Sequence, residues 1–171
     1  NTKTPVPLFS LTSRSEIVNM KAIIPVAGAG TKLRPHTYTQ PKALIPLAGK
    51  TILSIIIDQL VEAGIREFIF VVGYLGDKIQ DYVQAKYPEL ECHFINQSDR
   101  HGTGHAVELT KAVVGNDEVM IVLGDTIAEY DIQEVMNAPH STLGVKKVDD
   151  PRNFGVAELN EDGFITRVVE K

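Results

Sequence analysis

Apolar residues along this chain fall into two rhythms that alternate. Residues 21–26 form a short, nearly continuous apolar run rich in β-branched side chains and ending in small residues, the pattern of a buried strand. Residues 51–63 place Ile52, Ile55, Ile56, Leu60 and Ala63 at helical spacing, with Thr51 in front as a cap and Gly64 behind, just past the helix end. The alternation continues with a strand over 67–72, a helix over 76–86 ended by Pro88, and a strand over 91–96. A helix over 103–114 capped by Thr103, a strand over 118–123 and a short helix over 131–137 follow. Residues 142–148, 154–159 and 164–169 read as three final strands. Repeated strand–helix units predict a mainly parallel sheet covered by helices on both faces. Ligands on such sheets bind outside the carboxyl ends of the strands. Residues 1–19 break the rhythm: they are rich in Ser, Thr and Pro, without a period, and Met20 would make a natural start. They are expected to be an upstream leader or a cloning remnant, or else an arm packing on a neighbouring subunit.

Composition narrows the function classes. The 171 residues are 43% apolar and 23% charged, enough for one globular domain with a real core. A net charge of −5 argues against a general nucleic-acid binder, which needs a basic face. It leaves room for a local cation cluster that holds a small anion. The one cysteine, Cys92, excludes a disulfide within the chain and a thiolate zinc site, and it reads as a buried core residue. No stretch approaches the ~20 apolar residues of a membrane span, and no secretory signal opens the chain. A cytoplasmic protein without membrane or nucleic-acid partners is the expectation. Assembly into a homo-oligomer is left open.

The chemically unusual residues gather at the expected strand ends. After the first strand, residues 27–35 (Ala-Gly-Ala-Gly-Thr-Lys-Leu-Arg-Pro) combine small residues, which let backbone N–H groups approach a phosphate, with the cations Lys32 and Arg34. Lys42 adds a third cation. Two common phosphate-loop patterns fail here. A dinucleotide fingerprint needs glycine at position 33, where Leu33 stands, and an acidic residue about 20 positions further on is also missing. A P-loop ending at Gly49-Lys50-Thr51 needs glycine at position 44, where Leu44 stands. After the third strand, Gln97 carries an amide that both donates and accepts, suited to the imide edge of uracil or thymine. Gly102 nearby lets a base lie against the backbone. His105, in the first turn of the next helix, reads as packed or solvent-facing. After the fourth strand, Gly124-Asp125 presents a carboxylate, a hard oxygen ligand of the kind Mg²⁺ uses together with substrate phosphates.

Together these stations resemble the nucleoside-diphosphate-sugar pyrophosphorylases, among them glucose-1-phosphate thymidylyl- and uridylyltransferases. Gly28, Gly30 and Thr31 match the family's Gly-x-Gly-Thr-Arg pattern, and Pro41-Lys42 matches its Pro-Lys. Lys32 departs from it by standing where the family has Arg, a point charge in place of a planar fork of donors. Gln97 followed by Gly102-Thr103 is similar to the family's base-recognition station. The wording Gly-Thr-Gly-His-Ala over 102–106 especially resembles N-acetylglucosamine-1-phosphate uridylyltransferases. The resemblance covers residues 20–171.

The resemblance implies an α/β, Rossmann-like three-layer αβα nucleotide-diphospho-sugar transferase fold with a mixed, mostly parallel sheet. The core would occupy residues 20–171 and be truncated at its C-terminal end. It further implies transfer of a nucleotidyl group from UTP or dTTP to a sugar 1-phosphate, glucose 1-phosphate being favoured, with release of pyrophosphate. Lys32 and Lys42 would be catalytic. Ala27, Gly28, Gly30, Thr31, Arg34, Gln97, Gly102 and Thr103 would bind the nucleotide. Gly155, Glu170 and Lys171 would contact the sugar phosphate, and Asp125 would hold Mg²⁺. Lys32 in the place of Arg keeps open a non-catalytic, sugar-nucleotide-binding regulatory subunit on the same fold.

Overall fold

The computed structural model describes residues 20–99 and 101–169. The segment 1–19, Arg100, Glu170, Lys171 and the side chain of Lys32 lie outside it, so the expected leader falls outside the described residues. In chain order the strands are β1 (Met20–Pro25), β2 (Pro46–Leu47), β3 (Lys50–Thr51), β4 (Glu67–Val72), β5 (Glu91–Asn96), β6 (Glu118–Ile121), β7 (Val156–Leu159) and β8 (Ile165–Val169). The helices are α1 (Ile52–Glu62), α2 (Gly76–Lys86), α3 (Thr103–Glu108), α4 (Lys111–Val114) and α5 (Ile132–Met136). Contacts divide the chain into two compact units, one ending at Gln133 and one beginning at Glu134.

The first unit holds a four-stranded sheet in the order β5-β4-β1-β6. Every pairing in it is parallel, with Ile23 opposite Ile69 on one side and Ile121 on the other. The chain moves outward from β1 through β4 to β5, then returns to the far side of β1 for β6. Right-handed crossovers therefore lay α1 and α2 on one face and α3 and α4 on the other. Alternating side chains serve these two faces. Ile23, Ile69 and Val71 pack with Ala106, Val107, Val113 and Val114 of the α3–α4 side. Ala22, Ile24, Phe68 and Phe70 point the opposite way and are fully buried, as are Leu53, Ile56, Ile57 and Leu60 of α1. Each such large side chain contributes about 1.5–3 kcal/mol on burial. Phe70 also stacks on Phe94, with centroids 5.3 Å apart.

Local chemistry explains where the helices begin and break. Thr51 Oγ1 accepts from the Ser54 N–H at 3.0 Å, and Ser54 Oγ accepts from the Thr51 N–H at 3.1 Å, a reciprocal cap that starts α1. The helix expected over 103–114 is two short helices. The Thr110 hydroxyl donates to the Val107 carbonyl at 2.7 Å, competing with the helical ladder at the point where it is interrupted. Gly102, at φ 91° and ψ −178°, occupies the cap position expected for Thr103, because only glycine adopts that backbone conformation without strain. The β6 ladder ends at Ile121, two residues early, although Val122 and Gly124 still donate to Ile23 and Pro25 at 3.0 and 3.2 Å. Cys92 is half-buried rather than buried. Burial, then the nearby charges of Glu89 and Glu91, push its thiol up to about 11.

In the second unit β7 and β8 form an antiparallel hairpin. Its turn is held by Asn160, whose side-chain oxygen accepts from the Phe164 N–H at 2.8 Å. Residues 142–148 are not a strand, contrary to expectation: no partner strand among the described residues completes a ladder, and Leu143 and Val145 are exposed. Among the described residues no helix is long and apolar enough to cross a membrane.

Candidate functional site

The strand order reverses between β1 and β6, and the crevice at the carboxyl ends of these strands is where an open parallel sheet binds ligands. A cleft of about 620 Å³ lies there. Of the residues singled out from sequence, Ala27, Gly28, Gly30, Thr31, Lys42, Gln97, Gly102, Thr103 and Asp125 all line it. They come from three stretches of chain far apart in sequence.

The first wall is the loop after β1. It is locked onto the sheet by the Val26 N–H, which donates to Val71 at 2.8 Å. Gly30 sits in the left-handed region at φ 57° and opens a 3-10 turn over Thr31–Leu33. The Gly30 carbonyl takes the Thr37 hydroxyl at 2.8 Å, and Thr37 is itself buried. A Cβ on Gly30 would meet the Thr37 methyl at 2.9 Å and Lys42 Cβ at 3.2 Å, so this glycine lets two turns of backbone nest. A Cβ on Gly28 would meet nothing within 4 Å, which marks the face of the loop turned to open space.

The second wall joins Lys42 to Asp125. Lys42 begins a 3-10 turn whose next residues, Ala43 and Leu44, are buried and anchor it. Its Nζ lies 2.8 Å from Asp125 Oδ2, although the two residues are 83 apart in sequence. Burial alone would raise the Asp125 carboxyl. The Lys42 hydrogen bond and charge, with the Thr126 hydroxyl on Oδ1, outweigh it and hold the group below the usual carboxylate range. Asp125 is therefore a carboxylate that already faces a cation, and its donor chemistry fits a hard divalent ion.

Gly124 allows this placement. A Cβ there would drive into Val26 Cγ1 and reach Ile24 Cγ2 at 3.1 Å. Gly124→Ala is expected to cost about 1–3 kcal/mol, as overpacking does, which a urea melt of the variant would measure.

The third wall is the start of α3. The Gln97 N–H extends the sheet by donating to Val72 at 2.8 Å, and its side chain is nearly buried. Gln97 Nε2 lies 3.2 Å from the Gly102 carbonyl and 3.1 Å from His105 Nδ1. His105, expected to be packed or solvent-facing, is packed: its ring touches the amide at the heart of this wall.

Other sequence candidates lie elsewhere. Arg34 does not line the cleft, and its guanidinium sits 5.0 Å over the Tyr38 ring. Lys32 lends its backbone to the 3-10 turn. Gly155 belongs to the second unit. Glu170 and Lys171 lie outside the described residues. A separate group, Glu67, Glu91 and His93, brings three potential metal ligands within 4.8 Å of one another. It stands at the amino ends of β4 and β5, the opposite edge of the sheet from the cleft.

The family model described as Nucleotidyl transferase matches residues 21–171. The chain belongs to the nucleotidyl transferase family. This family member is 41% identical over 152 residues to the bifunctional protein GlmU of Methanococcus vannielii, covering 89% of this chain and 35% of that protein. It is 35% identical over 158 residues to a glucose-1-phosphate thymidylyltransferase of Streptomyces griseus, covering 89% of this chain and 44% of that one. Among solved structures, a putative glucose-1-phosphate thymidylyltransferase from Bacillus anthracis superposes with a TM-score of 0.75 at 28% identity. That match covers 89% of this chain and 64% of the other. The chain therefore spans less than half the length of these curated relatives. The α/β, Rossmann-like nucleotide-sugar transferase fold expected from sequence is the fold observed, its central sheet parallel and its short ribbons antiparallel.

Proposed function

We propose that the protein carrying this chain is a sugar-1-phosphate nucleotidyltransferase, with residues 20–171 as its nucleotidyltransferase core. Its substrates would be a uracil or thymine nucleoside triphosphate and a sugar 1-phosphate, glucose 1-phosphate before N-acetylglucosamine 1-phosphate. The observation that carries this reading is the cleft at the strand-order reversal, where the Lys42–Asp125 pair and Gln97 line one space. A sugar-phosphate oxygen attacks the α-phosphorus in line. The new P–O bond forms as the bond to the bridging β-phosphate oxygen breaks, and pyrophosphate departs. No protein nucleophile is needed, so catalysis is positioning and charge stabilisation.

Each residue then has a task. Backbone N–H groups of residues 28–31 cradle the phosphates, helped by the small side chains. Lys42 holds the α-phosphate, and Lys32 offsets the charge of the departing pyrophosphate, whereas Arg34, turned to the Tyr38 ring, takes this role only if it leaves that ring. Gln97, Gly102 and Thr103 receive the base. Gly155, Glu170 and Lys171 are assigned to the sugar phosphate by the family resemblance. Mg²⁺ would be held by Asp125 and would neutralise charge on the phosphate oxygens.

The test is pyrophosphate release by the native full-length protein with Mg²⁺, offering UTP, dTTP, CTP and GTP against each sugar phosphate. Release that requires both UTP or dTTP and a sugar 1-phosphate is expected. Nucleotide binding without any release would overturn the catalytic reading in favour of a sugar-nucleotide-binding regulatory subunit.

A further inference from the structure

We infer that His105 is a positioning residue for base selection: its ring fixes the Gln97 amide so that Gln97 offers an acceptor, not a donor, to the base. The inference rests on the reading of Gln97 as the base-contacting group.

The geometry works from the backbone outward. Gln97 is held at the end of β5 by its own N–H on Val72, and its side chain reaches back along the loop toward α3. The Gly102 carbonyl lies 3.2 Å from Gln97 Nε2. A carbonyl oxygen can only accept, so this contact draws the nitrogen end of the amide toward the loop. The same nitrogen has a second hydrogen, and 3.1 Å away stands His105 Nδ1. Nδ1 must then carry a lone pair, which places the ring proton on Nε2. Gly102 makes this bracket possible. At φ 91° its carbonyl accepts from both Gln97 and the Ala106 N–H at 3.2 Å, which brings the first turn of α3, and His105 with it, against the amide. The His101 ring packs against His105 at 5.0 Å and limits its swing.

Both amide hydrogens are thereby used. No hydrogen bond to Gln97 Oε1 is found among the described residues, and none of their buried side-chain N or O atoms lacks a partner. Among the described residues Oε1 is thus left without a protein partner, and the space that Gln97 borders is the cleft. An accessible acceptor beside nearly buried surroundings matches a ring N–H, which uracil and thymine carry at N3. Cytosine carries a lone pair at N3 and would set acceptor against acceptor. Discrimination of this kind comes from the mismatch left unpaired in the wrong complex. With His105 gone, one of the two restraints found on the amide among the described residues is lost, and an amide that rotates more freely discriminates less against cytosine.

Two substitutions in the native full-length protein test this. His105→Asn keeps an acceptor oxygen near the position of Nδ1, and His105→Phe keeps the ring volume without the acceptor. With sugar 1-phosphate saturating, His105→Phe is expected to raise KM for UTP and dTTP by about tenfold and to narrow the UTP-over-CTP preference by a similar factor. Its kcat and its KM for sugar phosphate should stay within about twofold of the parent, while His105→Asn restores the preference. A His105→Phe enzyme with unchanged UTP preference overturns the inference. So does a fall in kcat shared by both variants with the preference intact, because that is a structural role. A second measurement needs no variant: ¹⁵N NMR of the unsubstituted protein should report Nδ1 of His105 as unprotonated, and a proton found on Nδ1 overturns the inference even if His105→Phe fails to fold. Failure of the unsubstituted protein to bind or turn over any uracil or thymine nucleotide would instead overturn the underlying functional reading, with the NMR result still deciding whether His105 holds the amide.

Discussion

Lys42→Ala is expected to lower kcat on the order of 10²–10³-fold, the usual loss when one preorganised charge-stabilising group is removed from a transferring phosphate. The expected change in folding stability is no more than about 1 kcal/mol, because the Lys42 ion pair is partly solvated. Removing this side chain leaves the turn that carries it intact, since Ala43 and Leu44 are the buried anchors and the turn hydrogen bonds run through the backbone. The loss should appear in kcat, and KM for the triphosphate should change far less, if Lys42 acts on charge that develops at the α-phosphate during transfer. Steady-state kinetics beside a urea melt would separate the two effects. Normal turnover by a folded Lys42→Ala protein would remove Lys42 from the mechanism.

The second large effect belongs to Asp125→Asn. This replacement keeps the shape of the side chain and one acceptor oxygen, enough for one of Lys42 and Thr126, which bond different carboxylate oxygens, but removes the negative charge. A neutral amide is a poor ligand for a hard divalent cation. Turnover at a fixed Mg²⁺ concentration is expected to fall on the order of 10²–10³-fold. The Mg²⁺ concentration for half-maximal rate should rise, so that added metal recovers part of the activity. A Mg²⁺ dependence identical to that of the parent would contradict the role given to Asp125. Lys42→Ala should respond differently: extra metal should not rescue it. The contrast between the variants tests the two assignments separately, even though the residues touch.

Most of the first unit was legible in sequence. The runs at β1 and β4 were long enough and apolar enough on both faces to need no tertiary information, and β5 followed from its place in the strand–helix alternation. The helix after Thr51 carried both a cap and a clear apolar stripe. The loop glycines and Lys42 were legible through their pattern, and the sheet topology brought them to one edge. What escaped depends on partners that a one-dimensional pattern does not display. The break before Lys111 turns on a single hydroxyl bonding back to Val107. Residues 142–148 have strand-like composition, but a strand exists only against a neighbour. Thr103 looked like a cap because its residue type favours one, whereas the φ of Gly102 decided the matter. Arg34 sat in a cationic loop and was drawn to the Tyr38 ring instead of the cleft. The contact of His105 with Gln97 was not legible, since it arises only from the eight-residue return that sets the ring against the amide.

The position of β6 also has a consequence for how the protein is made. β1, β4 and β5 are complete once Asn96 has been synthesised, and they already form three adjacent strands. The cleft needs more: α3 must pack beside Gln97, and β6 must add on the other side of β1 to deliver Asp125 to Lys42. On a ribosome releasing about 5–20 residues per second, a stretch of several seconds or less separates a sheet that can pair from a pocket that can bind. Nascent chains in that interval hold Lys42 without its carboxylate partner, so ligand can stabilise the molecule only after the last of the four strands has docked.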